Sequence, residues 1–379
     1  MTIRIAFVIT GLSTGGAEAM LLKLLERIDR SRFEPHVFSL TTMGEIGGRV
    51  AALGIPVEAL GMRPAFPSPW KFWRLVTHLR ALRPRLVHTW LYHADLLGGL
   101  AARCAGIRLV VWGLRNSTLD AASTKWSTRA VMRLCARLSA WLPTRILSCS
   151  EVAVQVHAHL GYDIAKMSVI PNGFDLSNFR PDAQARMSVR AELGLDAQTP
   201  VVGMVGRFDP QKNHLGFIKA AGWLHRQLPS VHFVLAGARV DAENDALMTA
   251  VAAEKLTGST HLLGLRQDVA RLMSALDVLA LPSDYGEAFP NVVGEAMACG
   301  VPCVVTDIGD SAYIVGDAGA VVAAGDMPRL AEKMMALLGM DARAYAQLST
   351  AARTRICERF EIGKVVRQYE DVYEELARG

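Results

Sequence analysis

The sequence predicts an α/β protein made of two doubly wound parallel-sheet domains in tandem. Three observations carry this. Short runs rich in Val, Ile and Leu, bounded by Gly, Pro or Asp, recur at spacings that leave room for a helix, the pattern of a parallel sheet wrapped by helices. The turn Pro171-Asn172-Gly173 and the polar stretch from Ser177 to Asp196 divide these runs into two series. Each series opens with a strand running into a glycine-bearing loop, and open parallel sheets hold ligands outside the carboxyl ends of their strands.

In the first series, strands are expected at Ile3 to Thr10, Glu34 to Leu40, Leu86 to Thr89, Arg108 to Trp112, Arg145 to Cys149 and Met167 to Ile170, with helices at Glu18 to Ile28 and Leu96 to Ala105. The second series places strands at Val201 to Val205, His232 to Ala236, Thr260 to Leu263, Val278 to Leu281 and Pro302 to Thr306. Its helices are Leu215 to Gln227, Asp245 to Glu254, Asp268 to Ser274 and Val292 to Cys299. The domains are set at 1–175 and 176–362. Helical spacing puts Val365, Val366, Tyr369, Val372 and Tyr373 on one side of a last helix, so residues 363–379 need a surface and are expected to pack back on the first domain.

The 379 residues, 51% hydrophobic and 20% charged, exclude collagen, coiled-coil and disordered classes. Six cysteines spread over this length form no disulfide framework and no paired CxxC motifs; they read as small buried hydrophobes in a reducing compartment. The apolar start from Met1 to Thr10 reads as a strand instead of a signal peptide. No run of about 20 apolar residues spans a bilayer, so a cytoplasmic location is expected. The net charge of +5 is unevenly distributed: between Leu60 and Ser150, 14 Lys and Arg face only Asp95 and Asp120, a window of +12 against −7 elsewhere. Six of the seven tryptophans share that window.

Three motifs carry chemistry. Gly11-Leu12-Ser13-Thr14-Gly15-Gly16-Ala17-Glu18 follows the first strand, but its spacing matches neither a dinucleotide fingerprint nor a P-loop. What remains is a tight Gly15-Gly16 turn whose amides could approach a phosphate or hydroxyl at a helix end, or a turn needed only for geometry. Gly206-Arg207-Phe208-Asp209-Pro210-Gln211-Lys212 places two cations five residues apart on a strand-to-helix loop, enough to compensate a diphosphate; two solvated surface charges are the plainer alternative. The passage from Tyr285 to Pro302 puts Glu287 in a loop and Glu295 about one turn inside a helix starting near Asn291. The two carboxylates can accept from separated hydroxyls of one ligand while nearby amides face an anion, although Glu295 could also be a salt-bridged structural residue.

The passage Glu287-x7-Glu295 with Phe289, Pro290 and Asn291, running on through Ala296-Met297-Ala298-Cys299-Gly300-Val301-Pro302, resembles the signature of retaining glycosyltransferases of family 4. The similarity extends through Gly15-Gly16-Ala17-Glu18, Ile170 to Gly173, Gly206-Arg207 with Lys212, and Gly264 to Asp268. The resemblance implies the GT-B fold, two Rossmann-like doubly wound domains facing a central cleft. It further implies that Arg207 and Lys212 hold the donor diphosphate and that Glu287 contacts the donor sugar near the reacting carbon. Glu295 would hold the ribose hydroxyls, with Phe289, Asn291 and Val292 completing the phosphate cradle and Leu265 and Arg266 beside the base. Gly15 and Gly16 would contribute from the other domain. The expected donor is a UDP- or GDP-sugar, with no cofactor and no metal; the chain has no Asp-x-Asp, the ligand pair of metal-dependent glycosyltransferases of the other common fold. The four histidines His88, His93, His157 and His159 have poor metal spacing and read as core or solvated residues. The family pattern often has a histidine just after the fourth strand, where this chain reads Gly113-Leu114-Arg115-Asn116-Ser117. Arg115, Asn116 and His93 are therefore the candidate contacts to donor sugar or acceptor.

The acceptor is expected on the first domain as a glycan or a lipid-linked glycan, in bacterial polysaccharide or lipopolysaccharide synthesis. Pro69 to Leu82 mixes Trp70, Trp73, Val76 and Leu79 with Lys71, Arg74 and Arg80, while Lys125 to Trp141 repeats the mixture with Arg129, Arg133 and Arg137. Cationic, indole-bearing amphipathic helices suit an anionic lipid surface, so residues 63–145 are expected to make a peripheral membrane contact; core tryptophans beside a solvated basic face are the alternative. No nucleic-acid module accompanies the charge. Two other readings stand beside transfer: a catalytically lapsed nucleotide-sugar-binding subunit, and a nucleotide-sugar epimerase on the same fold.

Overall fold

The computed structural model describes residues 2–13, 15–62, 68–117 and 126–378; the readings made on Thr14, Arg63, Asp120 and Lys125 lie outside them. The chain divides into two compact units, Met1–Gly173 with Ile362–Gly379, and Phe174–Glu361. In chain order the first holds β1 (Ile3–Ile9), α1 (Gly16–Arg27), β2 (Phe33–Ser39), α2 (Gly44–Ala52), β3 (Val57–Ala59), α3 (Pro69–Leu82), β4 (Leu86–Trp90), α4 (Tyr92–Cys104), β5 (Leu109–Leu114), α5 (Trp126–Leu138), β6 (Arg145–Ser148), α6 (Glu151–His159) and β7 (Met167–Val169). The second holds α7 (Ala183–Glu192), β8 (Val201–Val205), α8 (His214–Gln227), β9 (His232–Ala236), α9 (Asp245–Ala253), β10 (Thr260–Leu262), α10 (Val269–Ser274), β11 (Val278–Leu281), α11 (Asn291–Ala298), β12 (Cys303–Thr306), α12 (Ser311–Val315), β13 (Gly319–Val322), α13 (Met327–Leu338) and α14 (Ala342–Arg359). The last helix, α15 (Ile362–Arg378), belongs to the first unit.

The first sheet is all parallel in the order β3-β2-β1-β4-β5-β6-β7. Its direction of winding reverses between β1 and β4, because β1 is flanked by β2 on one side and β4 on the other. Buried on both faces, β4 is apolar but for His88 and Thr89 and carries no exposed residue, as a strand covered by helices on each side must be. One face packs α1 and α15 against Ile5, Phe7 and Ile9; the other packs α3, α4 and α5 against Ala6, Val8 and Val87. The six expected strands form, and β3 is an addition. Its three half-buried residues, Val57, Glu58 and Ala59, offer no aliphatic run, and only pairing with β2 makes them a strand.

Helix α3 sorts its residues differently from the sequence reading. Leu75, Val76 and Leu79 are buried against the sheet, while Trp70 and Trp73 stay 80% and 52% exposed on the outer face with Arg74 and Arg80. The window's tryptophans are therefore of two kinds: Trp90 and Trp112 are core, and Trp126 and Trp141 are exposed. Cys104 is exposed and Cys357 half-buried, which corrects the reading of all six cysteines as buried hydrophobes.

Several polar side chains lie inside the first unit. The Thr89 hydroxyl donates to Asp95 Oδ1 at 2.5 Å; burial outweighs this bond and pushes the Asp95 carboxyl up to about 8. His88 is fully buried, its Nδ1 2.8 Å from the Tyr373 hydroxyl, and His157 bonds the Tyr92 hydroxyl at 3.0 Å. Burial lowers both histidines, His157 to about 4. The signs separate cleanly. Below about pH 6.5 the histidines lose stability for the fold as pH falls, since the unfolded chain then binds their protons more readily. Between about 6.5 and 8 they are neutral in both states, and Asp95 keeps a proton that the unfolded chain has released, so its contribution is lost as pH rises. The expected result is a urea midpoint of the first unit that falls from pH 6.5 to 8 and a flattened profile in Asp95→Asn, followed by tryptophan fluorescence. An unchanged slope in the variant would contradict the assignment.

The second sheet, also all parallel, has the order β10-β9-β8-β11-β12-β13, with its reversal between β8 and β11. Its core gathers Phe217, Ile218, Phe233, Leu235 and Met334 around Val202, Met204, Val278 and Val304. The unexpected strand here is β13, a Gly-Ala-Val-Val edge with one fully buried residue, again too short to read as a run.

Candidate active site

In a doubly wound sheet the loops flanking the reversal splay apart and leave a crevice at the carboxyl ends of the strands. In the second unit these are the loops after β8 and β11, which carry Arg207 with Lys212 and Glu287. The β8 loop is shaped by local chemistry. Gly206 donates to Ala236 O at 2.8 Å, and Gly237, at φ 152°, passes so close that a Cβ there would lie 2.0 Å from the Gly206 carbonyl oxygen. Asp209 Oδ1 accepts from the Gln211 amide at 3.0 Å, which closes the short turn Pro210–Lys212. Asn213 then adopts the left-handed region (φ 53°, ψ 49°) and caps α8 by accepting from the Gly216 amide at 2.9 Å, a role that asparagine fills at little conformational cost.

That turn aims Lys212 at Glu287: Nζ to Oε1 is 2.5 Å, both side chains being largely buried. Glu287 Oε1 also accepts from the Ser283 hydroxyl at 2.7 Å. Thr306 Oγ1 in turn donates to the Ser283 carbonyl at 2.6 Å. Two further bonds tie the loops: the Asp284 amide to Gln211 O at 3.0 Å and Asn213 Nδ2 to Asp284 Oδ1 at 2.8 Å. Behind them Gly309, at φ 59°, abuts the Glu287 carbonyl; a Cβ would sit 2.0 Å from that oxygen, so glycine is required by both torsion and space. The Lys212 ammonium and the Glu287 carboxylate are thus fixed relative to one another by three independent bonds between two neighbouring loops.

Around this pair the other sequence candidates are placed as follows. Arg207 is exposed, with Nε 3.2 Å from Asp209 Oδ2. Phe289 is buried, stacked on Phe174 at 6.3 Å and edge-on to Phe360 at 5.5 Å, which anchors the start of α11. Asn291 and Val292 form the first turn of that helix and Glu295 its second, all half-buried. The cap residue Pro290 supplies no side-chain acceptor, so the positive end of the helix dipole is not covered from that position. Leu265 is 69% exposed. Arg266 grips Asp268 with Nε and Nη2, both at 2.7 Å, and Glu192 at 2.6 Å, and it holds the Asp268 carboxyl well below the usual carboxylate range.

In the first unit Gly15 caps α1 in an extended conformation and Gly16 is its first residue. His93 lies in the first turn of α4, half-buried, its pKa lowered by burial. Arg115 and Asn116, adjacent in sequence, are separated in environment. Arg115 is buried, its guanidinium 3.9 Å above the Trp90 ring and bonded to Asn172 Oδ1 at 3.0 Å and to the Tyr369 hydroxyl of α15. Asn116 is exposed. Of the four histidines weighed for metal, His88 and His157 are core, His93 is half-buried and His159 exposed. Among the described residues no group of three or more His, Cys, Asp or Glu is placed to hold a metal ion.

Comparison with known proteins bears on the family and the fold. The profile of Glycosyltransferase Family 4 matches residues 14–178, and that of Glycosyl transferases group 1 matches residues 199–340. The chain is 30% identical over 298 residues to the UDP-Gal:alpha-D-GlcNAc-diphosphoundecaprenol alpha-1,3-galactosyltransferase of Escherichia coli, covering 76% of this chain and 74% of that one. The chain is a family 4 glycosyltransferase. EpsF of Bacillus subtilis (strain 168) is 29% identical to this glycosyltransferase over 322 residues, 80% and 79% of the two chains. The crystal structure of Anabaena HepE in complex with UDP superposes with a TM-score of 0.86 over 98% of this chain and 100% of that one, at 23% identity. That likeness gives the fold, two parallel-sheet Rossmann-like domains of the GT-B class.

Sequence reasoning on this glycosyltransferase missed the groups that position the pair: Ser283, Asp284, Thr306 and Gly309. Asn213 carried a readable signal, since an asparagine immediately before an amphipathic run is a helix-cap signature. Asp284 carried none, because its partners lie on the β8 loop, and Ser283 none, because a serine four residues before a loop glutamate forms no recurring pattern.

Proposed function

We propose that this glycosyltransferase moves a hexose from a UDP-sugar to a hydroxyl of a lipid-diphosphate-linked glycan, with retention of anomeric configuration and with side-chain cations in the place of a metal. The observation that carries this reading is the Lys212–Glu287 pair, held at 2.5 Å where the second sheet reverses direction and beside the amino end of α11. A helix amino end and two cations suit a diphosphate. The donor class is supported by the UDP named in the HepE complex, and the acceptor class by the diphosphoundecaprenol substrate named for the Escherichia coli relative.

In this mechanism the bond between the anomeric carbon and the β-phosphate oxygen breaks, building positive charge on the sugar ring and negative charge on the departing UDP. Lys212 and Arg207 stabilise the leaving phosphates, and such preorganised electrostatic groups are the largest single contribution in most transfer reactions. Glu287 faces the sugar near the reacting carbon; Glu295 holds the ribose, the first turn of α11 the phosphates, and Leu265 with Arg266 borders the base. The acceptor oxygen bonds the anomeric carbon on the face that the phosphate leaves, and its proton passes to the phosphate oxygen. No side-chain base is required, in keeping with the absence from Gly113-Leu114-Arg115-Asn116-Ser117 of the histidine that the family pattern often has there. Thermal unfolding with UDP, GDP and ADP tests the donor assignment. UDP at 100 times its dissociation constant is expected to add about 2.7 kcal/mol, with Lys212→Ala losing most of that gain. Equal stabilisation of wild type and Lys212→Ala would refute the diphosphate role.

The lipid-linked acceptor requires access to a membrane surface. Among the described residues no helix is long and apolar enough to cross a membrane. Exposed Trp70 and Trp73 share α3 with exposed Arg74 and Arg80, and exposed Trp126 shares α5 with exposed Arg133 and Arg137. This combination suits the headgroup layer, where each basic residue adds about 1 kcal/mol. Sedimentation with phosphatidylglycerol vesicles is expected at low salt, weakened in Trp70→Ser/Trp126→Ser. Failure of the wild type to sediment at low salt would rule out the peripheral contact.

A further inference from the structure

The first unit carries a second concave surface, at the amino ends of β1, β4 and β5. It lies at the edge of the sheet opposite the loops that hold Gly15, His93 and Asn116. It encloses about 750 Å³ over a floor that includes Leu79, Pro84 and Ile107, and five arginines line it: Arg4, Arg80, Arg83, Arg85 and Arg108. Among the described residues no Asp or Glu lines it. Among the described residues the five arginines make one salt bridge, between Arg4 Nε and Glu34 Oε2 at 3.0 Å.

Three of the guanidiniums are oriented by neutral acceptors. Arg4 Nη1 donates to Leu82 O at 2.8 Å, Arg80 Nη2 to Cys104 O at 2.7 Å and Arg85 Nη2 to Ala377 O at 2.6 Å. A carbonyl fixes a guanidinium in place without cancelling its charge. Helix dipoles account for part of the pattern, because α3 and α4 both end here and cations suit helix carboxyl ends. Arg4 and Arg85 also meet helix ends, through the last-turn carbonyls of α3 and α15, which leaves Arg108, just before β5, without such an explanation. Arg83 closes α3 in the left-handed conformation (φ 50°, ψ 53°), a position where glycine or asparagine is the less strained choice.

Like charges gathered around one concavity repel one another, and a multivalent anion relieves that repulsion. The planar fork of each guanidinium matches phosphate oxygens in pairs. We propose that this arginine-lined pocket is a binding site, separate from the donor loops, for a ligand presenting two or more phosphate groups, either on one soluble molecule or on adjacent lipid headgroups.

The test uses the full chain, inorganic tripolyphosphate in calorimetric titration at 0.15 M salt, and sedimentation with phosphatidylglycerol vesicles. Arg83→Glu/Arg108→Glu is the diagnostic variant, since neither side chain donates a hydrogen bond to another of the described residues. Lys212→Ala controls for binding at the donor loops. If the ligand is soluble, tripolyphosphate affinity falls at least about tenfold in Arg83→Glu/Arg108→Glu and is unchanged in Lys212→Ala. If it is lipid, tripolyphosphate binds weakly, while vesicle sedimentation is lost in the double variant and restored by Arg83→Lys/Arg108→Lys. In both cases release of UDP from a UDP-sugar by the soluble chain stays at the wild-type rate. The proposal is overturned if the double variant binds tripolyphosphate and vesicles as the wild type does, or if binding follows Lys212 alone.

Discussion

Glu287→Gln is expected to lower kcat for sugar transfer by about 10²–10³-fold, the scale seen when one preorganised electrostatic group is removed from a reacting centre. Glutamine preserves the volume of the side chain and a bond to the Ser283 hydroxyl, now at 2.7 Å. It removes the charge facing Lys212 and, in the proposed mechanism, the carboxylate facing the sugar. In the proposed mechanism the diphosphate is held by Lys212, Arg207 and the amino end of α11, so nucleotide binding is expected to survive and the loss to fall on kcat more than on KM. Leaving one partner of a largely buried pair uncompensated also costs stability. The penalty lies below the roughly 3–5 kcal/mol of a fully buried pair, because Lys212 keeps 15% of its side-chain exposure. Steady-state rates with UDP-sugars, together with UDP-dependent thermal stabilisation, separate the two effects. A folded Glu287→Gln enzyme with wild-type turnover would remove Glu287 from the reacting centre.

A chain ending at Glu361 is expected to lose the folded first unit altogether. Helix α15 contributes Ile362, Val365, Val366, Tyr369, Tyr373 and Leu376 to the core beside β1 and β4, each 9% exposed or less. At roughly 1.5–3 kcal/mol for each buried side chain, this contribution is on the order of 10 kcal/mol, as large as the whole stability of a typical domain. Polar bonds go with it. Arg115 loses the Tyr369 hydroxyl, His88 the Tyr373 hydroxyl, the Asp29 amide its 2.8 Å bond to Glu370, and Arg32 its pairing with Glu370 and Glu374. Limited proteolysis should degrade the region before Phe174 while sparing the second unit, whose sheet contains no part of α15. Near-ultraviolet dichroism should lose the signal of buried Trp90 and Trp112. A cooperative first-unit transition in the shortened chain would show that the helix is an accessory and not a core element.

The amino-acid pattern alone determined the α/β class, the eleven expected strands and the presence of two sheets. Those strands are aliphatic runs bounded by turn residues, and both signals are local along the chain. It also singled out Glu295, as a carboxylate interrupting an apolar, small-residue passage, Glu287, as a second carboxylate in the loop before that helix, Lys212, as one of two cations on a strand-to-helix loop, and the start of α11 near Asn291. The edge strands β3 and β13 escaped notice since an edge asks only for one neighbour and tolerates half-burial. Which face of α3 turns inward was also undecided, because tryptophan and arginine suit an exposed surface as readily as valine and leucine suit a core.

Charge partners were the part that tertiary structure alone decided. Lys212 meets a carboxylate 75 residues away, Asn213 meets Asp284 at a separation of 71, and Arg115 is covered by a tyrosine 254 residues further along the chain. No periodicity links such positions. They come together because parallel strands set distant loops side by side and because α15 crosses back to the first sheet, so the environment of each charge is fixed by the return path of the chain.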